Sequence, residues 1–404
     1  MMFSGISIRM LFARLMLIVF VLSGSVANAL VTITVNSDAD TTDSDPNVTT
    51  LREAIEEAAA ATDDVKILFD FNGYTEIAPV TELGFVRNGN GYSVITPATE
   101  LGQVRNDNGY SVTIDGQGWP IISGTAISSV NNFGLDISGD SHTVKRITVN
   151  EFPGRGIRIN GDNNTLTDCK IGTDGDGLFE GYGNGHGVHV LGDNNTISYC
   201  TISGNLGGWG IYAQGTSGLI IKGNYIGTSF DGELAIPNGD EDHAAIQLIP
   251  DPSKVVTGIT IGGLGAFDGN VISGNLGNAI EFHDVNVAGF GSHTIVGNFI
   301  GTDGDGTTLI PNSGIGIEID ATPGVTIGGT TTGSGNVISG NSTGIEVDGS
   351  ESTGIVIQQN KIGTNLAGSA ILGNSGRGIR VVSGASAVIG GYGNECGQHN
   401  IGEF

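Results

Sequence analysis

The chain has 404 residues, and 69 of them are glycine, a share of about 17% against a usual share of about 7%. With only 10 prolines and no Gly-X-Y period it is not collagen, and 14% charged residues amid abundant Ile, Val and Thr is not a disordered composition. A net charge of −26 argues against free nucleic acid as a partner and against an anionic polysaccharide without a bridging cation, leaving a divalent cation or a neutral glycan.

In chain order, residues 1–29 read as an export signal. Arg9 and Arg14 give a basic start, Leu15 to Leu22 an apolar stretch, and Ala27-Asn28-Ala29 a small-residue cleavage site. The expectation is a secreted or cell-surface protein cut after Ala29, with no membrane insertion, because no apolar run is long enough to span a bilayer. Residues 30–70 hold a first strand and a capping helix, which Thr50 and Glu53 begin as a capping box and which runs to about Ala61. Residues 71–118 lead into the repeats and contain an 18-residue duplication. Thr81-Glu82-Leu83-Gly84 recurs as Thr99-Glu100-Leu101-Gly102, and Asn90-Gly91-Tyr92 as Asn108-Gly109-Tyr110. This segment is either an added hairpin-like excursion or an extra partial coil.

Residues 119–404 are repeats. Ile-Gly-Thr begins at Ile171, Ile226, Ile300 and Ile362; Ile-Ser-Gly-Asn begins at Ile202, Ile272 and Ile338; the two alternate strictly. A Gly-Ile-x-Ile-like strand recurs around Leu135, Ile157, Val188, Ile211, Ile246, Ile280, Ile317, Ile345 and Ile379. A Thr-Ile-Gly-Gly-like strand lies between, as at Thr260 and Thr326. Short runs of alternating apolar and polar residues at such spacings are half-buried strands, three to a coil. The predicted fold is therefore all-β: a parallel β-helix of about nine or more coils, roughly 40 Å long at about 4.8 Å per coil. The chain ends where another third strand begins, at Asn400-Ile401-Gly402, and the C-terminus reads as uncapped. Two residues before the third-strand Ile stand Asn224, Asn270, Asn298, Asn336 and Asn360, a predicted asparagine ladder. The same position holds Cys169 and Cys200 in earlier coils; adjacent coils allow either a disulfide or two buried thiols, and Cys396 has no evident mate.

The coil and its ladder resemble the pectate-lyase-like right-handed β-helix superfold. Thr49-Thr50-Leu51-Arg52-Glu53-Ala54-Ile55 resembles the Cys-Ser-Leu-Arg-Glu-Ala-Ile segment that opens many bacterial surface β-helices, with threonines in place of the first two residues. The resemblance implies the fold; it does not choose among the lyases, hydrolases, adhesins and stalks built on it.

Outward positions of the Gly-Ile-x-Ile strand stack coil on coil into a strip. Its middle column reads Asp136, Arg158, His189, Tyr212, Gln247, Glu281, Glu318, Glu346, Arg380. The column before it contains Phe133, Arg155, His186 and Trp209, and the column after it His283, Asp320 and Asp348. Arg155, Arg158, His186, His189, Trp209 and Tyr212 are candidate substrate-binding residues, since aromatic faces and planar donors suit sugar rings and carboxylates. Glu281, Glu318 and Glu346 are candidate catalytic residues with His186. Carboxylates one coil apart repel, so one must titrate high or a cation must sit between them. That spacing also matches the acid and nucleophile of a retaining glycosidase. Asp320 and Asp348, with Asp174, Asp176, Asp303 and Asp305 of two Asp-Gly-Asp-Gly loops, are candidate Ca²⁺ ligands, although Asp and Gly also simply make turns. Gly185-His186-Gly187 resembles a polygalacturonase triplet, but that family's Asp-Asp and Arg-Ile-Lys partners are missing, and repeat geometry already accounts for both glycines. The functional expectation is a secreted β-helix that binds or processes polysaccharide, as a lyase or a glycoside hydrolase if it is an enzyme. The alternative is a non-enzymatic adhesin or stalk. Polysaccharide is the expected partner and Ca²⁺ the expected cofactor if there is one.

Overall fold

The computed structural model describes residues 30–37, 49–69, 94–97, 101–117, 119–178, 180–283, 290–390 and 395–396. The export signal, most of the duplication and residues 397–404 lie outside the described residues, and nothing is described of the Cys396 side chain.

Each coil contributes one strand to each of three sheets, and every neighbouring pair within a sheet is parallel. Face 1 carries the Gly-Ile-x-Ile strands, ten of them from Gln103–Val104 to Ile379–Val381. Face 2 has twelve strands from Val31–Val35 to Ala387–Ile389, and face 3 eleven from Val94–Ile95 to Glu395–Cys396. The chain is a right-handed parallel β-helix, the hand that parallel crossovers adopt. Residues 94–95, 103–104 and 112–115 are already strands of the three sheets, so coiling begins ahead of residue 119.

Inward residues of successive coils form apolar ladders such as Leu135, Ile157, Val188, Ile211, Ile246 and Ile280, all buried. The first coils are closed by the helix Leu51–Ala60. Its capping box is complete: Thr50 Oγ1 accepts from the Glu53 amide at 3.2 Å, and Glu53 Oε2 accepts from the Thr50 amide at 2.9 Å. Leu51, Ala54, Ile55 and Ala58 turn into the core. No helix among the described residues is long and apolar enough to cross a membrane.

The predicted ladder is present. Asn224, Asn270, Asn298 and Asn336 each donate from Nδ2 to Oδ1 of the next asparagine, ending at Asn360, at 2.8–2.9 Å. Cys200 Sγ stands in for an amide oxygen, accepting from the Cys169 N–H at 3.4 Å. Both thiols are buried and unbridged in the structure. A second ladder was not anticipated. It joins Asn184, Asn205, Asn238, Asn275, Asn312, Asn341 and Asn374 at the turn from face 3 to face 1.

The second ladder explains the alternating motifs. Ile-Ser-Gly-Asn supplies its own rung, Asn205, Asn275 or Asn341, with no excursion. Ile-Gly-Thr coils first make a loop pinned by an antiparallel bridge, as Thr228 to Ala235, Thr302 to Leu309 and Thr364 to Ile371. They then return with Asn238, Asn312 or Asn374. Each serine donates to the threonine carbonyl of the following coil, Ser203 to Thr228 and Ser273 to Thr302, both at 2.7 Å. Folded loops need about the 10 Å of two coils rather than the 4.8 Å of one, so every second coil carries one.

Candidate functional site

Backbone pairing puts the middle column of face 1 in continuous register: Gln103, Asp136, Arg158, His189, Tyr212, Gln247, Glu281, Glu318, Glu346, Arg380. The leading column sits three residues ahead, an offset that strict alternation would send to the opposite face. A glycine between them permits it. A Cβ on Gly187 would lie 2.3 Å from the Gly210 carbonyl oxygen and 3.1 Å from Asn205 Nδ2, so the bare backbone presses against the next coil and the second ladder. His186 and His189 thereby share the outer face. From Arg158 to Glu346 the strip spans about 30 Å, six steps of about 4.8 Å.

The first half of the strip is basic and aromatic, as the sequence suggested. Asp136 holds Arg158 by two hydrogen bonds, 2.9 Å from Nε and 2.5 Å from Nη2. The Arg158 guanidinium lies 4.0 Å from the Phe133 ring centre, and that of Arg155 lies 5.7 Å from it. His186 stacks on Trp209 at 5.0 Å between centroids, and Trp209 meets Tyr212 at 4.3 Å. His189 lies 5.1 Å from Tyr212. The stack is close because residue 208 is glycine: a Cβ there would fall 2.1 Å from His186 Nδ1. Burial, then the positive charge of Arg155, pushes His186 and His189 down to about 4, so both imidazoles are neutral at ordinary pH. His186 Nδ1, both nitrogens of His189 and Trp209 Nε1 have no hydrogen-bond partner in the protein. One residue escaped the sequence reading. His243 packs edge-on to Trp209 at 4.7 Å and is held by Asp240 at 2.5 Å. It stands one position before the column, where the motif gave Ala244, so only the acidic run Asp240-Glu241-Asp242 beside it could have marked it.

The second half is acidic. Gln247 Nε2 donates to Glu281 at 2.9 Å, and Asn278 Nδ2 donates to Glu318 at 2.5 Å. Arg380 pairs with Glu346. Glu318 sits mid-column with no cation against it. Burial first, and then the charges of Glu281 and Glu346, raise it to about 7. The raised pKa falls on the middle carboxylate of the three, the one with a like charge on either side. Burial also raises Asp320, against the pull of His283. His283 Nδ1 lies 3.5 Å from both Glu281 and Asp320, bridging the middle and trailing columns. Asp348 pairs in register with Asp320.

The Asp-Gly-Asp-Gly loops lie on face 3, apart from the strip. Asp174 Oδ1 accepts from the Leu178 amide at 2.9 Å, and Asp303 Oδ1 from Thr307 and Thr308 at 2.8 and 3.1 Å. Burial favours a proton on Asp303, but these amides outweigh it and lower its pKa. Ser229 and Asn365 cap the equivalent loops in the same manner. Asp176 is half-buried beside Lys170 and Asp305 is exposed. Among the described residues, no group of three or more His, Cys, Asp or Glu side chains is placed to hold a metal ion.

A family model described as a right-handed beta helix region matches residues 110–303. No curated protein matches the chain. Among solved structures, the chain is similar to the A-module of the mannuronan C-5 epimerase AlgE4 of Azotobacter vinelandii, at 12% identity over 85% of this chain and 93% of that one, with a TM-score of 0.43. It is similar to the DFA-IIIase of Arthrobacter chlorophenolicus A6, at 12% identity over 84% and 81%, TM-score 0.39. It is also similar to the Dettilon tailspike protein, at 13% identity over 87% and 68%, TM-score 0.32.

Proposed function

We propose that this is an exported β-helix that binds a polysaccharide along face 1, with the sugar chain seated on Trp209 and Tyr212. The observation that carries this reading is the Trp209–Tyr212 pair, half-buried on the outer face and flanked by imidazoles kept neutral. Flat aromatic faces take the C–H side of a pyranose. Export rests on the pattern of residues 1–29. The test is a glycan array probed with the parent and with Trp209→Ala and Tyr212→Ala. The expected result is at least a tenfold loss of signal on the bound glycans with the β-type circular dichroism unchanged. Undiminished binding by both variants refutes the assignment.

A specific observation favours turnover as well as binding. A carboxyl held at about 7 keeps its proton through mildly acidic pH and about half of it at neutrality, as a general acid for glycosidic cleavage requires. Glu281 is the register neighbour of Glu318 in the adjacent coil, about 4.8 Å along the rod, close to the spacing of a retaining pair. Release of reducing ends that disappears in Glu318→Gln, while glycan binding persists, is the expected signature. Turnover unchanged in Glu318→Gln removes Glu318 from the reaction.

A further inference from the structure

Face 3 carries a cavity of about 490 Å³ that no motif announced. Its floor is Lys170, Thr201 and Tyr225, which are vertical neighbours in three successive coils. Its walls are Trp119, Tyr199 and Phe230, with Asp176 in the loop after Lys170. Lys170 Nζ lies 4.4 Å from the Trp119 ring centre and donates to the Gly175 carbonyl at 2.5 Å. The loops of residues 174–178 and 229–235 join to enclose it, the Phe230 amide donating to the Gly177 carbonyl at 3.0 Å.

Two of the walls are held at a cost. Trp119 and Tyr199 occupy the turn from face 2 to face 3 with φ of 54° each, in the left-handed region. The same turn is left-handed in other coils as well, at Arg146, Asp168 and Gln359 with φ of 57°, 52° and 57°, and at Gly223 and Gly297 with φ of 65° and 69°, where glycine is free of strain. A non-glycine residue there costs about 1–2 kcal/mol, and at Trp119 and Tyr199 the residue that bears the cost is an aromatic one that lines the cavity. The Tyr199 ring lies over Gly223, whose added Cβ would come within 2.6 Å of it, and Tyr199 remains 44% exposed, as Phe230 is 47% exposed.

We propose that this cavity is a second sugar-binding site, on a different face from the strip and independent of it, that takes a neutral pyranose unit. Three aromatic walls and the Tyr225 floor supply flat apolar faces for the C–H side of a ring, while Lys170, Thr201 and Asp176 offer donors and acceptors to its hydroxyl edge. Lysine and aspartate together leave no excess charge to select an ion. The volume lies within the roughly 300–1,000 Å³ of small-molecule sites.

The chain has two tryptophans, Trp119 in this cavity and Trp209 in the strip, so each site has its own fluorescent reporter. In full-length Trp209→Phe, titration with neutral gluco-, manno-, galacto- and xylo-oligosaccharides should shift Trp119 emission saturably. The shift should weaken at least tenfold in Phe230→Ala and in Tyr199→Gly, made in the same background. Tyr199→Gly, relieved of left-handed strain, should melt no lower than its parent. No saturable shift with any member of the panel overturns the proposal, and so does a shift equal in parent and both variants. The reciprocal Trp119→Phe protein reports the strip alone, so failure at one site is read separately from failure at the other.

Discussion

Replacing Asn298 by alanine removes one rung of the first ladder. Its Oδ1 accepts from the Asn270 amide at 3.1 Å and from Asn270 Nδ2 at 2.8 Å. Its Nδ2 donates to the Ile261 carbonyl at 2.9 Å, the Val296 carbonyl at 3.1 Å and Asn336 Oδ1 at 2.9 Å. All these groups are out of water's reach, so the partners left behind stay unpaired. At about 0.5–1.5 kcal/mol per net hydrogen bond, and more for an orphaned buried donor, the loss is about 3–5 kcal/mol. That is a large fraction of the roughly 5–15 kcal/mol that holds a folded domain together. Coils interact with nearest neighbours, so the loss should appear locally before it appears globally. Hydrogen–deuterium exchange read by mass spectrometry isolates it. At about 1.4 kcal/mol per tenfold, peptides spanning 270–272 should exchange roughly a hundred to several thousand times faster. Peptides of the first coils should be nearly unaffected. Acceleration of less than about tenfold would refute the claim that the ladder carries this region.

Four further outcomes follow. Turnover, if present, should hold between pH of about 4 and about 7, falling above as Glu318 loses its proton and below as His186 and His189 gain theirs; a rate that keeps rising through 7 contradicts it. Because the Glu318 pKa is raised in the folded state, the fold loses stability as pH rises through 4.5 to 7, so Glu318→Gln should raise the melting temperature at pH 8 and leave it unchanged near pH 4. His293 is buried, accepts from the Ile259 amide and is lowered to about 4 by desolvation, so its contribution is whole above 6.5 and about 3 kcal/mol is lost as pH falls from 6.5 to 4; His293→Asn, the residue type that Asn164 and Asn195 already provide in this column, should flatten that acid limb in denaturant titrations. Cys169 and Cys200 should resist a thiol reagent in the native protein and react fully after unfolding, and a failure to recover both thiols would show a bridge.

The strand pattern, the first ladder and the strip were legible because each rests on a fixed offset within a repeat. Asn270 and Asn298 both stand two residues before a third-strand Ile, so register alone makes them neighbours. The second ladder was missed although its offsets are regular: Asn238, Asn312 and Asn374 each stand twelve residues after the Ile of Ile-Gly-Thr, while Asn205, Asn275 and Asn341 stand three after the Ile of Ile-Ser-Gly-Asn, so two alternating offsets rather than one bring its rungs into line. The face 3 cavity was hidden for a different reason. Lys170, Thr201 and Tyr225 share one repeat position, each just before the Ile of its motif, but Trp119 and Tyr199 come from turns and Phe230 from a loop. The aspartates of the Asp-Gly-Asp-Gly loops carried cation-ligand chemistry in the sequence, yet in the fold Asp174 and Asp303 face their own loop amides, as Ser229 and Asn365 do. Burial is what sequence conveys least, and it governs the neutral imidazoles and the raised pKa of Glu318.

A crystal structure with the oligosaccharide that scores highest on the array tests the face 1 assignment most directly. The account expects sugar rings over Trp209 and Tyr212, with the chain axis running along the rod from Arg155 toward Glu318. Sugar absent from face 1, with the ligand ordered elsewhere on the molecule, would contradict it.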